Sequence, residues 1–453
     1  MYFKNDKFLI VGVSKSGISI CDMLLKKGAK CYVYDDAETE TVKKAEQNLA
    51  EKGAVVVYKS ELDELLTEIT VVVLSPGVAI DHEIPLKAKK LGKRITGELE
   101  LASEFCLAPV IAVTGTNGKT TTCTMIDDIL KSGGINSVLC GNVGTPLSSV
   151  LPCLNDDSVV VCETSSFQLE TVSRFAPHIA VVTNITPDHL SRHYNMENYV
   201  YLKGKILSNM RESEFAVLNF DDKIVKSFGE KTRCKVVYFS AQTEVNGAYV
   251  ADGKVYYKGK FIGEISDLPI SGEHNVYNLL AAVCVAEIMG LDEEIILTGI
   301  KGFKGVKHRI QYIKSVNGVD YYNDSKATNP DATIKAIDSM EKPTVLILGG
   351  KDKGLDYGEL FVKIKTSNVK SIVFTGESAA RMYNAAKKEG ITNLSVAEDF
   401  TLAVKLAGLS AEYGDAVLLS PACSSFDRFT DYEARGDEFI RITELSLIHI
   451  SEP

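Results

Sequence analysis

No apolar run in the sequence reaches the roughly 20 residues that a helix needs to cross a bilayer. The start, Met1 to Lys7, leads into a short strand-like run with no pattern of a secretory leader. The expectation is a cytoplasmic protein with no membrane partner. A basic excess is missing too: 50 Lys and Arg stand against 60 Asp and Glu, a formal charge of −10. That balance argues against a nucleic-acid binder, which needs cations to neutralise a phosphate backbone. It leaves room for a phosphate ligand held by one loop. The ten cysteines include no C-x-x-C pair, so a zinc site has no support. Several lie in apolar runs such as Val159-Val160-Val161-Cys162, where a thiol acts as a small hydrophobe and fits a reducing cytosol. No solenoid-length repeat and no low-complexity segment is present.

What is present is length and alternation. The chain has 453 residues, enough for about three domains. Short β-branched runs alternate with amphipathic stretches, the pattern of parallel sheets with crossover helices. It starts three times. The first block, 1–97, has strands at Lys7 to Val11, Lys30 to Tyr34, Ala54 to Tyr58 and Thr70 to Leu74. The second, 98–303, has strands at Pro109 to Val113, Ser158 to Cys162, Ile179 to Thr183 and Ala216 to Asn219. An antiparallel-looking patch follows at about Val236 to Ile265, then a helix from His274 to Met289. The third, 304–453, has strands at Gly318 to Tyr322, Thr344 to Leu348, Ser371 to Thr375 and Ala416 to Leu419. Residues beyond about Leu445 follow no usable pattern and are given no role.

The second block opens with a strand, then Thr114-Gly115-Thr116-Asn117-Gly118-Lys119-Thr120-Thr121, then a helix that stops at Gly133-Gly134. Strand, glycine-rich turn and helix aim backbone N–H groups and a helix N-terminus at anionic phosphate. Lys119 can neutralise β- and γ-phosphates, and Thr120 or Thr121 can ligate Mg²⁺. A standard P-loop has glycine where this chain has Val113, so the loop is a shorter variant. The plainer alternative is an incidental Gly-Lys-Thr turn. Glu163 and the pair Asp188-His189 follow two further strands, where ligands of open α/β sheets sit. The alternative for Glu163 is a solvated side chain beside a helix cap at Thr164 or Ser165.

In the first block, Gly12-Val13-Ser14-Lys15-Ser16-Gly17 is a degraded G-x-G-x-x-G, with Asp35 where a ribose-binding acid would sit. Ser75-Pro76-Gly77 marks a second loop on the same sheet edge. In the third block, three strands end in polar loops: Asn323 to Asn329, Gly349 to Gly354, and Ser420 to Asp427. At equivalent sheet positions they point to one cleft for a small, doubly anionic substrate.

Val113 to Thr121, Glu163-Thr164-Ser165-Ser166-Phe167-Gln168-Leu169, Asn184-Ile185-Thr186-Pro187-Asp188-His189-Leu190 and Gly272 to Asn278 resemble the motifs of the Mur ligase family, over almost the whole chain. Asn323 to Asn329 and Ser420 to Phe429 resemble its D-glutamate-adding branch. The resemblance implies an α/β protein of three domains: a Rossmann-like N-terminal domain, a central P-loop-type ATPase domain with a mostly parallel sheet, and a Rossmann-like C-terminal domain. It implies a monomer that uses ATP and two Mg²⁺ ions to join UDP-N-acetylmuramoyl-L-alanine to D-glutamate through an acyl phosphate. Ser16, Asp35, Asp36, Ser75, Pro76, Gly77 and Asn142 would bind the UDP-linked substrate. Gly115 to Thr121, Asn278, Arg309 and Asp324 would bind ATP. Lys326, Thr328, Lys353, Ser425 and Tyr432 would surround D-glutamate. Lys119, Glu163, His189 and Lys203 would be catalytic, with Thr120, Glu163, His189 and a carbamylated Lys203 serving the metals. Lys205 is the alternative carbamylated position, and a surface lysine the plainer reading. A sibling ligase with another amino acid and a dinucleotide-binding protein are the competing functions.

Overall fold

The Val/Ile/Leu runs become central strands because helices cover both faces of mostly parallel sheets. The computed structural model describes residues 6–142, 144–267, 272–352 and 354–445. The first sheet contains β1 (Lys7–Val11), β2 (Lys30–Tyr34), β3 (Val55–Val56), β4 (Val71–Leu74) and β5 (Arg94–Gly97). All its pairs are parallel, in the order β3-β2-β1-β4-β5. The strand order reverses between β1 and β4, and the loops Gly12–Ser14, which leads into the helix Lys15–Lys26, and Ser75–Gly77 leave those two strands at that switch point.

The second sheet contains β6 (Val110–Thr114), β7 (Asn136–Gly141), β8 (Ser158–Glu163), β9 (Ile179–Val182), β10 (Phe215–Asn219), β11 (Lys235–Ser240), β12 (Gly247–Ala251), β13 (Lys254–Tyr257) and β14 (Lys260–Glu264). Its order is β14-β13-β12-β11-β10-β9-β6-β8-β7, with β13 antiparallel to both β12 and β14. β6 therefore lies between β8 and β9, and the phosphate loop, Glu163 and Thr183-Asn184 emerge side by side. The helix Lys119–Ser132 ends at Gly133-Gly134, Gly134 having φ +74°. It buries Met125, Ile126, Ile129 and Leu130 against the sheet and the helix Glu273–Ile288.

These two sheets belong to one compact unit, Met1–Phe303; Lys304–Pro453 forms another. The second unit holds β15 (Gln311–Val316), β16 (Val319–Asn323), β17 (Thr344–Leu348), β18 (Val369–Phe374), β19 (Leu394–Val396) and β20 (Ala416–Leu419), in the order β15-β16-β20-β17-β18-β19. β16, β20 and β17 are neighbours, so the three polar strand ends of this block sit together. No helix among the described residues is long and apolar enough to cross a membrane.

Candidate active site

The phosphate loop is fixed by two glycines and by its neighbours. Gly118 has φ +83°, and a Cβ there would lie 2.2 Å from Asn278 Oδ1; at Gly115 it would lie 2.0 Å from Thr183 Oγ1. Larger residues fit at neither place. Asn184 closes the outer turn, accepting from Asn117 N at 2.9 Å and donating to Asn117 O at 3.1 Å, while Thr183 Oγ donates to Asn117 O at 2.6 Å. Lys119 Nζ donates to the carbonyls of Gly115 at 3.1 Å and Thr116 at 2.8 Å, which keeps the ammonium over the loop. The loop joins the strand Val110–Thr114 to the N-terminus of the helix Lys119–Ser132, the arrangement that the phosphate-binding reading expects.

Glu163 is buried at the end of β8. Thr120 Oγ donates to its Oε2 at 2.8 Å, and Asn142 Nδ2 to its Oε1 at 2.9 Å. The helix cap weighed against it exists as well: Ser165 caps Ser166–Glu170 in a capping box with Gln168. The cap begins two residues after the carboxylate, but Glu163 itself is buried and bonded at both oxygens, not solvated as that alternative has it. Thr121 is buried one position further along, in the first turn of the helix, and Thr122 Oγ donates to Asn278 Oδ1 at 3.1 Å.

Lys203 is not a surface lysine. It is 2% exposed, and its Nζ donates to Gly115 O at 2.8 Å and Thr114 Oγ at 3.2 Å beneath the phosphate loop. Burial, and next the nearby Lys119 charge, push its pKa down to about 6. Lys205 instead donates to Glu170 O at 2.9 Å. Tyr199, one helical turn before Lys203, has its hydroxyl 3.1 Å from Thr116 Oγ. From sequence, Tyr199 and Thr183 have no role, and Asn184 is marked only as the first residue of a motif. The four-residue Tyr199–Lys203 spacing and the polar residues after β9 were the available signals.

His189 has φ +52° and is half exposed, with Nε2 3.4 Å from the Asp188 carboxylate and its ring 4.9 Å from that of Phe167. Among the described residues no three His, Cys, Asp or Glu side chains gather as a metal cluster. Thr120 and Glu163 are the oxygen donors brought together, a hard donor set that fits Mg²⁺ with phosphate oxygens and water completing it.

At the first sheet's switch point, Asp35 accepts from Val13 N at 2.7 Å and Ala37 N at 2.9 Å, so its carboxylate braces the glycine loop. Ser75 Oγ donates to Gly12 O at 2.6 Å, tying the two loops together. Asp36 accepts from Tyr34 Oη at 2.7 Å and lies 3.0 Å from His82 Nε2. Gly77 is exposed at this edge, and Ser16 and Pro76 are partly exposed.

In the second unit, Asp324 is buried and accepts from Ser420 Oγ at 2.7 Å and Ile310 N at 3.2 Å. Burial raises its pKa to about 7, against the opposing charges of Arg309 and Lys326. Arg435 fastens two of the polar loops, donating to Ser325 Oγ at 2.9 Å, Ser325 O at 2.8 Å and Cys423 O at 3.0 Å. Ser425 is buried beside Cys423, and Lys326 N donates to His308 O at 3.0 Å. Thr328 is partly exposed on the same loop, and Tyr432 opens the helix Tyr432–Leu445. Lys353 lies outside the described residues. Asn278 belongs to the first unit, Arg309 and Asp324 to the second.

Three sequence-family models match in chain order: "Mur ligase MurD-like, N-terminal domain" over residues 6–97, "Mur ligase middle domain" over 113–286, and "Mur ligase, glutamate ligase domain" over 308–423. The chain is 42% identical over 446 residues to the UDP-N-acetylmuramoylalanine–D-glutamate ligase of Thermoanaerobacter sp. (strain X514), covering 97% of this chain and 98% of that one. The enzyme of the same name from Caldanaerobacter subterraneus subsp. tengcongensis is 40% identical over 442 residues, with the same coverage. Among solved structures, UDP-N-acetylmuramate-alanine ligase MurC from Thermotoga maritima aligns with a TM-score of 0.58 at 20% identity, covering 97% of this chain and 99% of that one, a likeness of fold. Domain order, full-length identity and the loop geometry agree: the chain belongs to the Mur ligase family.

Proposed function

We propose that this chain joins the alanyl carboxylate of UDP-N-acetylmuramoyl-L-alanine to the amine of D-glutamate, converting ATP to ADP and phosphate. The observation that carries the reading is one juxtaposition in a chain 42% identical to a ligase of that name. A phosphate loop, a buried carboxylate and a buried lysine converge at the ends of β6 and β8 and the helix Met196–Gly204.

A carboxylate is a poor electrophile, so amide formation needs activation. The alanyl carboxylate attacks the γ-phosphorus of ATP, the bond to the β,γ-bridging oxygen breaks, and ADP leaves. The D-glutamate amine attacks the acyl phosphate carbon, a proton is lost from nitrogen, and the tetrahedral intermediate expels phosphate. Lys119 and the loop N–H groups of Gly115 to Thr121 spread the charge that develops in the first step. Thr120 and Glu163 would hold Mg²⁺, with His189 at a second metal position. When bound, the metal would supply positive charge at the phosphate oxygens.

Lys203 is suited to carbamylation. Its neutral amine lone pair attacks CO₂, a nitrogen proton leaves to solvent, and a buried neutral amine becomes a carbamate anion beside the phosphate loop. That supplies the carboxylate missing from the donor set. Support for Lys203 over Lys205 is its place under Gly115.

We assign the UDP-linked substrate to Ser16, Asp35, Asp36, Ser75, Pro76, Gly77 and Asn142. Asn278, Arg309 and Asp324 are assigned to the nucleotide, and Lys326, Thr328, Lys353, Ser425 and Tyr432 to D-glutamate. Residues 1–97, 98–303 and 304–453 are the corresponding domains of a monomeric, cytoplasmic enzyme. The test is phosphate release across a panel of UDP-muramoyl acceptors and D- and L-amino acids. Release should need the L-alanyl acceptor and D-glutamate together; release with neither overturns the proposal.

A further inference from the structure

A chain of contacts links the loop Ser75–Asp81 of the first sheet to the phosphate loop of the second. Arg192 is at its centre. Its Nε and Nη2 donate to the two carboxylate oxygens of Glu170 at 3.1 and 2.6 Å. The same guanidinium donates to Val78 O at 2.9 Å and Gly77 O at 3.4 Å. Its neighbour Tyr194 sits at φ +68° and donates its hydroxyl to Asp81. The substrate loop is thus held to the segment after His189 at three atoms.

On the other side the contacts continue inward. Glu170 Oε1 lies 3.3 Å from His193 Nδ1. The fully buried His193 ring stacks on Tyr199 at 5.5 Å, and Tyr199 reaches Thr116 in the phosphate loop. Phe167 lies beneath the guanidinium at 5.3 Å and against His189 at 4.9 Å.

A guanidinium suits this place. It can hold one carboxylate by two N–H groups and still turn others toward backbone carbonyls. Lysine can keep the charge opposite Glu170 but has no planar fork. Neutralising Glu170 alone would not require the contacts to Gly77 and Val78.

We propose that Arg192 is a positioning residue that couples the loop holding the UDP end of the acceptor to the phosphate loop, so that binding of the distant nucleotide assists phosphoryl transfer. The inference rests on the acceptor proposed above. It follows the general rule that binding energy from remote parts of a substrate appears in kcat, which truncated substrates lose.

The experiment compares wild type, Arg192→Lys and Tyr194→Phe with two acceptors, the UDP-linked one and N-acetylmuramoyl-L-alanine. In parallel, the affinity for a non-hydrolysable ATP analogue is measured with and without the UDP-linked acceptor. Arg192→Lys should lower kcat about tenfold with the UDP-linked acceptor and less than about twofold with the truncated one. The acceptor should tighten analogue binding about tenfold in wild type and less than about twofold in Arg192→Lys. Tyr194→Phe leaves Glu170 paired and should shift both readouts the same way by a smaller factor, which covers a failure of Arg192→Lys to fold. Equal losses with both acceptors mark a merely structural role and overturn the inference. So does undiminished linkage in Arg192→Lys, or no linkage in wild type. If the truncated acceptor turns over too slowly to measure, the linkage decides. Wild type that makes no product with the UDP-linked acceptor and D-glutamate overturns the functional reading instead.

Discussion

Gly118→Ala tests the geometry of the phosphate loop. The backbone at Gly118 has φ +83°, and an L side chain there costs about 1–2 kcal/mol. The new Cβ would also lie 2.2 Å from Asn278 Oδ1, so Asn278 must move. Two hydrogen bonds are at stake, from Thr122 Oγ to Asn278 Oδ1 and from Asn278 Nδ2 to Asn275 Oδ1, each 3.1 Å. At about 1 kcal/mol net apiece, the total comes to about 3–4 kcal/mol. In an Asn278→Ala background those bonds are already gone, and only the backbone cost of about 1–2 kcal/mol remains. The double-mutant cycle should therefore show about 2 kcal/mol of coupling. Hydrogen exchange of the helix Lys119–Ser132 reads the opening free energy of this region without relying on one transition for two units. Additive losses within about 0.5 kcal/mol would refute the contact, and a neutral Gly118→Ala would refute the loop geometry as well.

The remaining predictions concern buried ionisable groups. Lys203 has a depressed folded pKa of about 6, so between pH 6 and 10.5 the unfolded chain binds the extra proton and stability rises with pH. Lys203→Met should abolish ligation yet stabilise the first unit in CO₂-free buffer, by about 3 kcal/mol more at pH 7 than at pH 9. Denaturant titrations at the two pH values check this, and a pH-independent gain would contradict burial of the neutral amine. Asp324 has a raised folded pKa of about 7. Its contribution is full below the unfolded pKa of 3.8 and is lost as pH climbs through 7. Asp324→Asn should therefore gain about 2–3 kcal/mol in the second unit's stability between pH 5 and pH 8, relative to wild type. Ser420 can turn its hydroxyl to Thr333 Oγ, 3.1 Å away, when the carboxylate is replaced. ¹³C-labelled bicarbonate should give a carbamate signal that Lys203→Met removes and Lys205→Met keeps; the reverse pattern would move the assignment to Lys205.

The sequence was legible where burial is two-sided. Interior strands such as Lys30–Tyr34 and Thr344–Leu348 are apolar from their second residue on and coincide with their expected spans. The strands that escaped notice, Arg94–Gly97, Asn136–Gly141, Gln311–Val316 and Leu394–Val396, all lie at sheet edges. One-sided burial there leaves no continuous apolar run, as the mixed burial of Asn136–Gly141 shows. The expected Ala54–Tyr58 strand shrinks to Val55–Val56 at another edge for the same reason. The phosphate loop announced itself through its glycines, because glycine spacing records backbone geometry directly. The burial of Lys203 did not, since it depends on Tyr199 and the β6 loop folding over it. Thr183, Asn184 and Arg192 reach partners as far as 66, 67 and 115 residues away, Asn117 for the first two and Gly77 for the third, and no local pattern encodes such pairs. Asp35 shows the opposite limit: its spacing suggested a ribose contact, while its carboxylate also braces Val13 and Ala37.

The central claim is that the phosphate loop serves to activate a carboxylate for amide formation with D-glutamate. Positional isotope transfer tests it most directly. With ¹⁸O in the alanyl carboxylate of the UDP-linked acceptor, one ¹⁸O should appear in the released phosphate for each amide formed, because that oxygen bonds to phosphorus and leaves with it. Phosphate released without ¹⁸O, or released at the same rate when D-glutamate is omitted, would contradict the account.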